Sequence, residues 1–479
     1  MDPSPTAFIP KPLRIIVIGA GQEGGTWAEN RYPGCSCDIP SHAYQYSWNP
    51  NPRWSRLYAE ASEILDYLKA TVTKSNLRQY IQFNTTCTGA SWDERHSEWH
   101  VTLQKGGIPD KEIRVKCDVF ILATGRLNNW KLPDIEGLNK FQGSVIHTAD
   151  WQSGLDYRGK DIAVIGNGAS STQCLAKLSK DARSIGNFIR GPTYLVPHVF
   201  SYNGEPQVNY SKDTIEEFEN NPSSYLRFRQ QLEQKLAHSF KGLWAESKAA
   251  EEFTQTLKQH MIKKIEDPHA LEALLPTDYK AGCRRFTPAD MYMEALNQSN
   301  VELISTPIKL VEGDAIITSD GKRRTYDIIV CGTGFEPYTP RFPIKGRGTA
   351  DLSELWSMDG GYESYLAATV AGFPNFFVFN PPMCPVNGSA YPGIERASDY
   401  MIRSAQEALN QWAQSRMHEM VWTGPCSSWY KTSNGKVIVP WPGTMLHYYA
   451  ATKIVRWEDY DMEFEDKKQK FTSFGNEHF

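Results

Sequence analysis

The sequence has no excess of positive charge: 51 Lys and Arg stand against 55 Asp and Glu, a formal net charge of −4. Binding to nucleic acid phosphates needs a basic face, and nothing in this balance points to one. Long apolar runs are missing too. Runs such as VFIL, IIV and FFVF fall far short of the roughly 20 residues of a membrane span. The opening MDPSPTAFIPKP carries prolines where a secretory signal would carry an apolar core, so no export is expected. The last residues give no retention or peroxisomal address. Nine cysteines with no evident framework fit a reducing compartment, and a cytoplasmic location is expected. Cys35 and Cys37 lack a second pair, so no metal site is expected.

What is present begins with size. A chain of 479 residues is long enough for about three domains. Its best-defined stretch is KDIAVIGNGASSTQ, from Lys160 to Gln173. Asp161 to Gly166 predicts a buried strand ending on glycine. Gly166, Gly168 and the small Ser171 then fall at the spacing of a dinucleotide fingerprint. The first glycine permits a tight turn, the second lets a pyrophosphate approach the backbone, and the third residue lets a helix from about Ala169 pack on the strand. Free N–H groups at that helix start would hold phosphates.

The first segment repeats half of this device. LRIIVIGAG predicts a buried strand and glycine turn, with Gly19, Gly21 and Gly24 at fingerprint spacing. A complete βαβ unit needs a full helix, a second strand and an acid about 20 residues on. Here the chain runs QEGGTWAENRYPGC, where Gly24, Gly25, Pro33 and Gly34 oppose a helix. No β-branched run follows before Tyr44, and positions 40–46 hold no carboxylate. The stretch from Gly24 to Trp54, rich in Gly, Pro, Trp and Tyr, reads as an ordered loop over a ligand.

Farther on, Glu60–Lys74 predicts an amphipathic helix, and Ile81–Gly89 and Glu98–Leu103 predict strands about the turn DERHSE. DVFILATG, from Asp118, and DIIVCGTGFEP, from Asp327, are two strand-to-turn segments that echo one another. They suggest two nucleotide domains with the chain crossing between them. Asp213–Lys280 is polar and helix-rich. The residues from Glu465 predict a weakly ordered tail.

At Phe141–Trp151 the pattern becomes specific. FQGSVIHTADW matches F-x-G-x-x-x-H-T-x-x-W at Phe141, Gly143, His147, Thr148 and Trp151. This is similar to the fingerprint of the Baeyer–Villiger monooxygenases, which continues with Pro or Asp where this chain has Gln152. GGTW, NRYPG, CDIPS, ATGRLNNW, VIGNGASS, CGTGF and NGSAYPGIERASDY also resemble that family, in its order. The resemblance covers nearly the whole chain and is strongest to fungal members, including those of polyketide pathways. The related flavin-containing and N-hydroxylating monooxygenases lack the HTxxW ending and remain an alternative.

The resemblance implies an α/β fold with two Rossmann-like dinucleotide-binding domains and a helical insertion. An FAD domain would use residues 1–140 and 385–479. An NADP domain would use 155–210 and 283–384, interrupted by the insertion at 211–282. The implied reaction uses NADPH, FAD and O2 to convert a ketone to an ester or lactone. An oxygen species that must stay anionic needs a fixed cation beside it. Arg285 in AGCRRF is that cation by resemblance, and Asp38 is the carboxylate that orients it.

Implied flavin contacts are Gly19, Gly21, Thr26, Trp27, Ala28, Glu29, Asp38, Ile39 and Tyr44. Implied NADP contacts are Ser36, Cys37, Asp38, Asn167, Gly168, Ala169, Ser170, Ser171, Thr172, Gln173, Arg190, Gly191, Arg284, Arg285 and Trp429. Arg190 and Arg284 would take the ribose 2′-phosphate, which selects NADP over NAD. Gly191 stands where the family has Thr, and WYKTSN where many members read WYxGAN. His147 and Trp151 lie in the implied interdomain linker and read as structural parts.

One departure dominates. The family has a helix and a strand between its GAG and its GGTW, and this chain joins them through Gln22 and Glu23 alone. About 25–30 residues of a βαβ unit are absent, so the FAD-domain Rossmann unit is incomplete. The chain is then a mis-spliced product, a decayed enzyme, or a working variant that holds FAD by other contacts. Two functions stay open: a Baeyer–Villiger monooxygenase, and an NADP-binding pseudoenzyme without flavin. No protein partner is inferable.

Overall fold

The computed structural model describes residues 14–106, 111–198 and 209–401, with several positions between 417 and 437. The tail from Glu465 lies outside the described residues. Among the described residues no helix is long and apolar enough to cross a membrane.

Two parallel sheets organise the molecule, and they differ in completeness. The first holds β1 (Ile15–Ile18), β5 (Val119–Leu122) and a strand at Phe376–Val378, with β5 in the middle. Before β5 the chain forms an antiparallel meander of β2 (Thr85–Asp93), β3 (Glu98–Lys105) and β4 (Glu112–Cys117). β2 therefore starts at Thr85 rather than at Ile81. Trp99, Phe120 and Phe376 are fully buried between this meander and the first sheet.

The second sheet has five parallel strands: Val301–Ile304, β8 (Ser184–Phe188), β7 (Asp161–Ile165), Ile328–Cys331 and β6 (Ser144–His147), in that order. Helix α4 (Ala169–Leu178) joins β7 to β8 and completes a βαβ unit. Ile162, Ala163 and Val164 are 0 % exposed, as a central strand covered on both faces requires. β6 lies inside the segment read as a linker, so FQGSVIHTADW supplies an edge strand of this sheet.

The join at Gln22–Glu23 has a visible consequence. Two four-residue helical turns, α1 (Gly21–Gly24) and α2 (Thr26–Glu29), stand where a full helix and strand would follow β1. Helix α3 (Ala61–Lys74) packs against both. Among the described residues β1 pairs only with β5. The sequence predicts a buried strand here, and that expectation fails: Ile15 is 55 % and Val17 50 % exposed. Among the described residues no element covers them. Burying such side chains stabilises by about 1.5–3 kcal/mol each, and β1 forgoes much of that.

Polar contacts hold β1 instead. The Arg14 guanidinium donates to Asp118 at 2.8 and 3.0 Å and to Glu98 at 2.8 Å. At the other end Gly19 has φ +123°, and an added Cβ would lie 2.3 Å from the Ala123 carbonyl oxygen. Glu23 accepts from Arg78 at 3.1 and 3.2 Å, which ties the join to the turn after α3.

The polar stretch after residue 211 is helical: α5 (Lys212–Asn220), α6 (Pro222–His238), α7 (Lys248–Lys264) and α8 (Pro268–Leu274). Ser211, Asn221, Ser247 and Asp267 cap them by accepting backbone N–H bonds.

Candidate functional site

The site forms where three loops meet. The first runs through Cys35–Ser41 and folds back on Leu57–Ala61. The Cys37 N–H donates to the Ala59 carbonyl, and the Ala61 N–H to that of Cys35. Tyr32 donates to Gln173 at 2.8 Å, and Gln173 donates to the Ser36 carbonyl at 3.1 Å. The loop is thereby clamped to α4.

The second loop carries Arg284 and Arg285 out of the helical region. The Ala281 N–H donates to Thr254, Tyr279 donates to the Pro192 carbonyl, and Arg284 donates to that same carbonyl at 3.0 Å. Cys283 is disulfide-bonded to Cys426 across 143 residues. Of the nine cysteines, read from sequence as having no evident framework, seven are free thiols and two are joined. Spacing gives no sign of the pair, because connectivity is not encoded in separation.

These loops bring Asp38 and Arg285 together, 247 residues apart. Arg285 Nε donates to Oδ2 at 3.1 Å, and Nη2 donates to Oδ1 at 3.0 Å and to Oδ2 at 2.7 Å. The side chains are 19 % and 37 % exposed, so the fork opens to the site on one side. The Asp38 charge holds the Arg285 guanidinium above its ordinary value, against the cost of burial.

The third loop adds aromatic groups. Tyr430 is buried, and burial pushes its phenol up to about 12, opposed by the charges of Arg285 and Arg126. Trp429 lies under the Arg126 guanidinium, 5.1 Å from ring centroid to charge. On the other flank Trp27 meets Tyr44 edge-on at 5.6 Å, and Tyr44 meets Tyr391 at 4.7 Å. Burial raises the Tyr44 phenol above its ordinary value. Ile39 and Cys37 join the same cluster, so these residues form one dry wall beside Asp38.

The start of α4 is the other half of the site. Gly166 has φ +118°, and a Cβ there would meet the Gly332 carbonyl oxygen at 2.6 Å. Ser171 donates to that same carbonyl and is buried, so it packs helix against strand. At Gly168 a Cβ would meet nothing within 4 Å. The first in-helix bond runs from the Thr172 N–H to the Gly168 carbonyl, leaving the N–H groups of Ala169, Ser170 and Ser171 at the open end. Asn167 donates to the Gly191 carbonyl and fixes the neighbouring turn. Arg190 is exposed beside it. Ser36, Cys37, Asp38, Thr172 and Gln173 line one cleft together with His198 and Tyr292.

The residues singled out from sequence thus divide. Asp38, Arg285, Trp27, Ile39 and Tyr44 converge. Arg190, Gly191 and Arg284 sit together beside the α4 start. Ser171 and Thr172 are buried, and the Gln173 side chain is occupied by the loop clamp, so any contact from these three falls to the backbone or to what remains of Gln173. Gly21, Thr26 and Glu29 stand exposed at the shortened join, with Ala28 beside them. His147 is buried, stacks on Trp130 at 4.9 Å, accepts from the Ala149 N–H, and is held below its usual value by burial. Sequence reading missed Arg126, Tyr338, Cys384 and Tyr430. ATGRLNNW and SSWYK contained two of them in plain view.

Comparison with known proteins is decisive at this point. The profile of the flavin-binding monooxygenase-like family matches residues 41–265. The FAD-binding monooxygenase stcW of Emericella nidulans is 35 % identical over 507 residues, covering 95 % of this chain and 84 % of the relative. A Baeyer–Villiger monooxygenase of Streptomyces coelicolor is 31 % identical, over 94 % of this chain and 87 % of its own. The chain belongs to the flavin-binding monooxygenases, among the Baeyer–Villiger enzymes. The FAD-binding monooxygenase tazF of Aspergillus terreus is 31 % identical over 99 % of this chain and 93 % of its own. That alignment runs over 533 positions against a chain of 479, so this family member lacks a counterpart for more than fifty of them.

The fold agrees. The OTEMO complex with FAD and NADP superposes with a TM-score of 0.79 over 94 % of this chain and 98 % of that one, at 24 % identity. A steroid monooxygenase bound to NADP gives 0.77 over 92 % and 97 %, at 25 % identity. The α/β architecture with parallel sheets is that of two-dinucleotide-domain monooxygenases.

Proposed function

We propose that this monooxygenase uses NADPH, FAD and O2 to insert one oxygen atom beside a ketone carbonyl, giving an ester or lactone. The observation that carries the reading is the Asp38–Arg285 fork, set between a dry aromatic wall and the cleft beside α4. In this reading residues 155–210 and 283–384 form the NADP domain, 1–140 and 385–479 the FAD domain, and 211–282 the insertion. Fungal relatives at 31–35 % identity support a place in fungal secondary metabolism, with polyketide ketones as substrates. Seven free thiols favour the cytoplasm as its compartment, and the one disulfide, Cys283–Cys426, opposes it.

NADP fits the residues present. The open α4 start and Gly168 would hold the pyrophosphate, and Arg190 and Arg284 the 2′-phosphate. Trp429, under the Arg126 guanidinium, would contact the nicotinamide ribose. FAD fits at one end only. Trp27, Ile39, Tyr44 and Asp38 would bound the flavin ring. Among the described residues the adenosine end has neither second strand nor ribose carboxylate, and Glu23 is taken by Arg78.

Bound flavin, reduced by NADPH, would supply the activation of O2. The chain itself keeps a permanent positive charge at Arg285, since guanidinium stays charged at any working pH. Asp38 fixes that charge in direction. The Tyr44 and Tyr430 phenols stay protonated, because burial disfavours their anions. The aromatic wall excludes water and so strengthens the cation's field.

The test is to purify the chain, add FAD, record the visible spectrum, and follow ketone-dependent NADPH use with mass detection of the ester. Arg285→Ala should abolish ester while NADPH oxidation continues. Ester from Arg285→Ala, or no yellow chromophore in the parent chain, sinks the reading. The bare edge of β1 favours a second reading, an NADP-binding protein without flavin. It predicts that NADP+ raises the melting temperature, with no flavin spectrum and no turnover.

A further inference from the structure

The site contains two guanidinium groups and one carboxylate. Arg285 has Asp38. Arg126 follows β5 in the turn ATGR, and among the described residues no Asp or Glu pairs with it. Its guanidinium donates to the Cys384 thiol and lies over the Trp429 ring. The groups whose charge acts on it are Cys384, Tyr338 and Tyr430, all ordinarily neutral, and Arg285, which repels it. The buried Tyr338 hydroxyl lies beside that guanidinium and the Cys384 thiol. A cation in such surroundings loses hydration and gains no counter-charge. That cost falls if a bound anion accepts from Arg126 and Tyr338 together.

We propose that Arg126, with Tyr338, is a specificity-determining site for a ketone that carries an anionic oxygen, a carboxylate or ionised phenol. The inference rests on the ketone substrate proposed above. Arg126 and Arg285 divide the work. Arg285 is held in direction by Asp38 and stays with the reacting carbonyl region. Arg126 holds the remote anion and so fixes which end of the substrate faces Arg285.

The experiment is a binding comparison on the purified full chain, with NADP+ present. The probes are 4-oxocyclohexanecarboxylate and its methyl ester, the second of which lacks the charge and carries one more methyl group. Binding is read by quenching of tryptophan fluorescence and by melting temperature. The acid should bind about tenfold or more tightly than the ester, as a charge-assisted pair allows. Arg126→Gln should erase the difference and leave the NADP+ affinity within about twofold. Arg126→Lys should keep a reduced preference, and Tyr338→Phe should weaken the acid alone. Equal binding of acid and ester, binding of neither, or a preference that survives Arg126→Gln overturns the proposal. If Arg126→Gln instead weakens NADP+ tenfold, the anion is a cofactor phosphate and the proposal also fails. An acid preference with no ester product ever formed would spare this inference and remove the oxygenation reading.

Discussion

The two sheets of this molecule began from the same sequence device and ended differently. β7 runs IAVIGNG into α4 and on to β8, and its residues vanish into the core. β1 runs IIVIGAG into two short turns, and half its side chains face outward. The glycine signature is therefore no guarantee of a dinucleotide site. What makes the site is the crossover behind it: the helix whose N-terminus binds, and the second strand that holds that helix in place. The first sheet has kept the turn and lost the support.

Substitutions at matched positions should break this comparison most sharply. Ile162→Ala in β7 opens a cavity among buried neighbours and should cost about 2–5 kcal/mol. Ile15→Ala in β1 removes a side chain already in water and should cost under about 1 kcal/mol. Urea midpoints measure both. If the two costs were equal, β1 would be covered in solution by something outside the described residues. The exposed edge adds a related expectation. Val17→Lys should reduce aggregation on concentration, read by light scattering, because charged edges resist strand addition.

The glycines of the second sheet come next. Gly166→Ala forces a side chain into a positive φ and against the Gly332 carbonyl, and should cost about 1–3 kcal/mol of stability. Gly168→Ala meets open space, so the fold should hold while NADP+ binding, measured by calorimetry, weakens. Equal NADP+ affinity in Gly168→Ala would remove the pyrophosphate from the α4 start. The same exchange at Gly21, also in open space, should change no NADP+ affinity.

Much of this was legible in the sequence, and the reason is local. IAVIG reads as strand, its glycines read as a turn, and the helix follows within a few residues. The pairing of Asp38 with Arg285 was legible only through resemblance to a family, because 247 residues separate them and no periodicity connects them. The exposed face of β1 was misread. An apolar run predicts burial only if a neighbour exists to bury it, and the missing segment was that neighbour. Arg126 escaped because a cation beside a thiol and a tryptophan has no spacing rule. The disulfide escaped because Cys426 sits in irregular chain with nothing to mark its partner.

The smallest effect concerns what fastens β1 in the absence of packing. Glu98 on β3 accepts from Lys116 at 2.6 Å, from Arg14 at 2.8 Å and from His100 at 3.2 Å. The Lys116 bond, then that of Arg14, holds its carboxyl down to about 2, against a usual value of 4.5. A carboxylate depressed on folding stabilises the fold above its unfolded value, and that contribution fades as pH falls through the folded one. The loss should therefore run from about pH 4.5 down to pH 2. Glu98→Gln should already lack the contribution at pH 7, and its urea midpoint should fall less than that of the parent over the acid range. Arg14→Gln should weaken the same anchor from the β1 side, with a smaller combined loss than the two single changes added together, because the residues share one bond. Additive losses would mean that Glu98 serves β3 and β4 through Lys116 and contributes nothing to β1. β1 would then be held by its ladder to β5, by Asp118 and by the Gly19 turn.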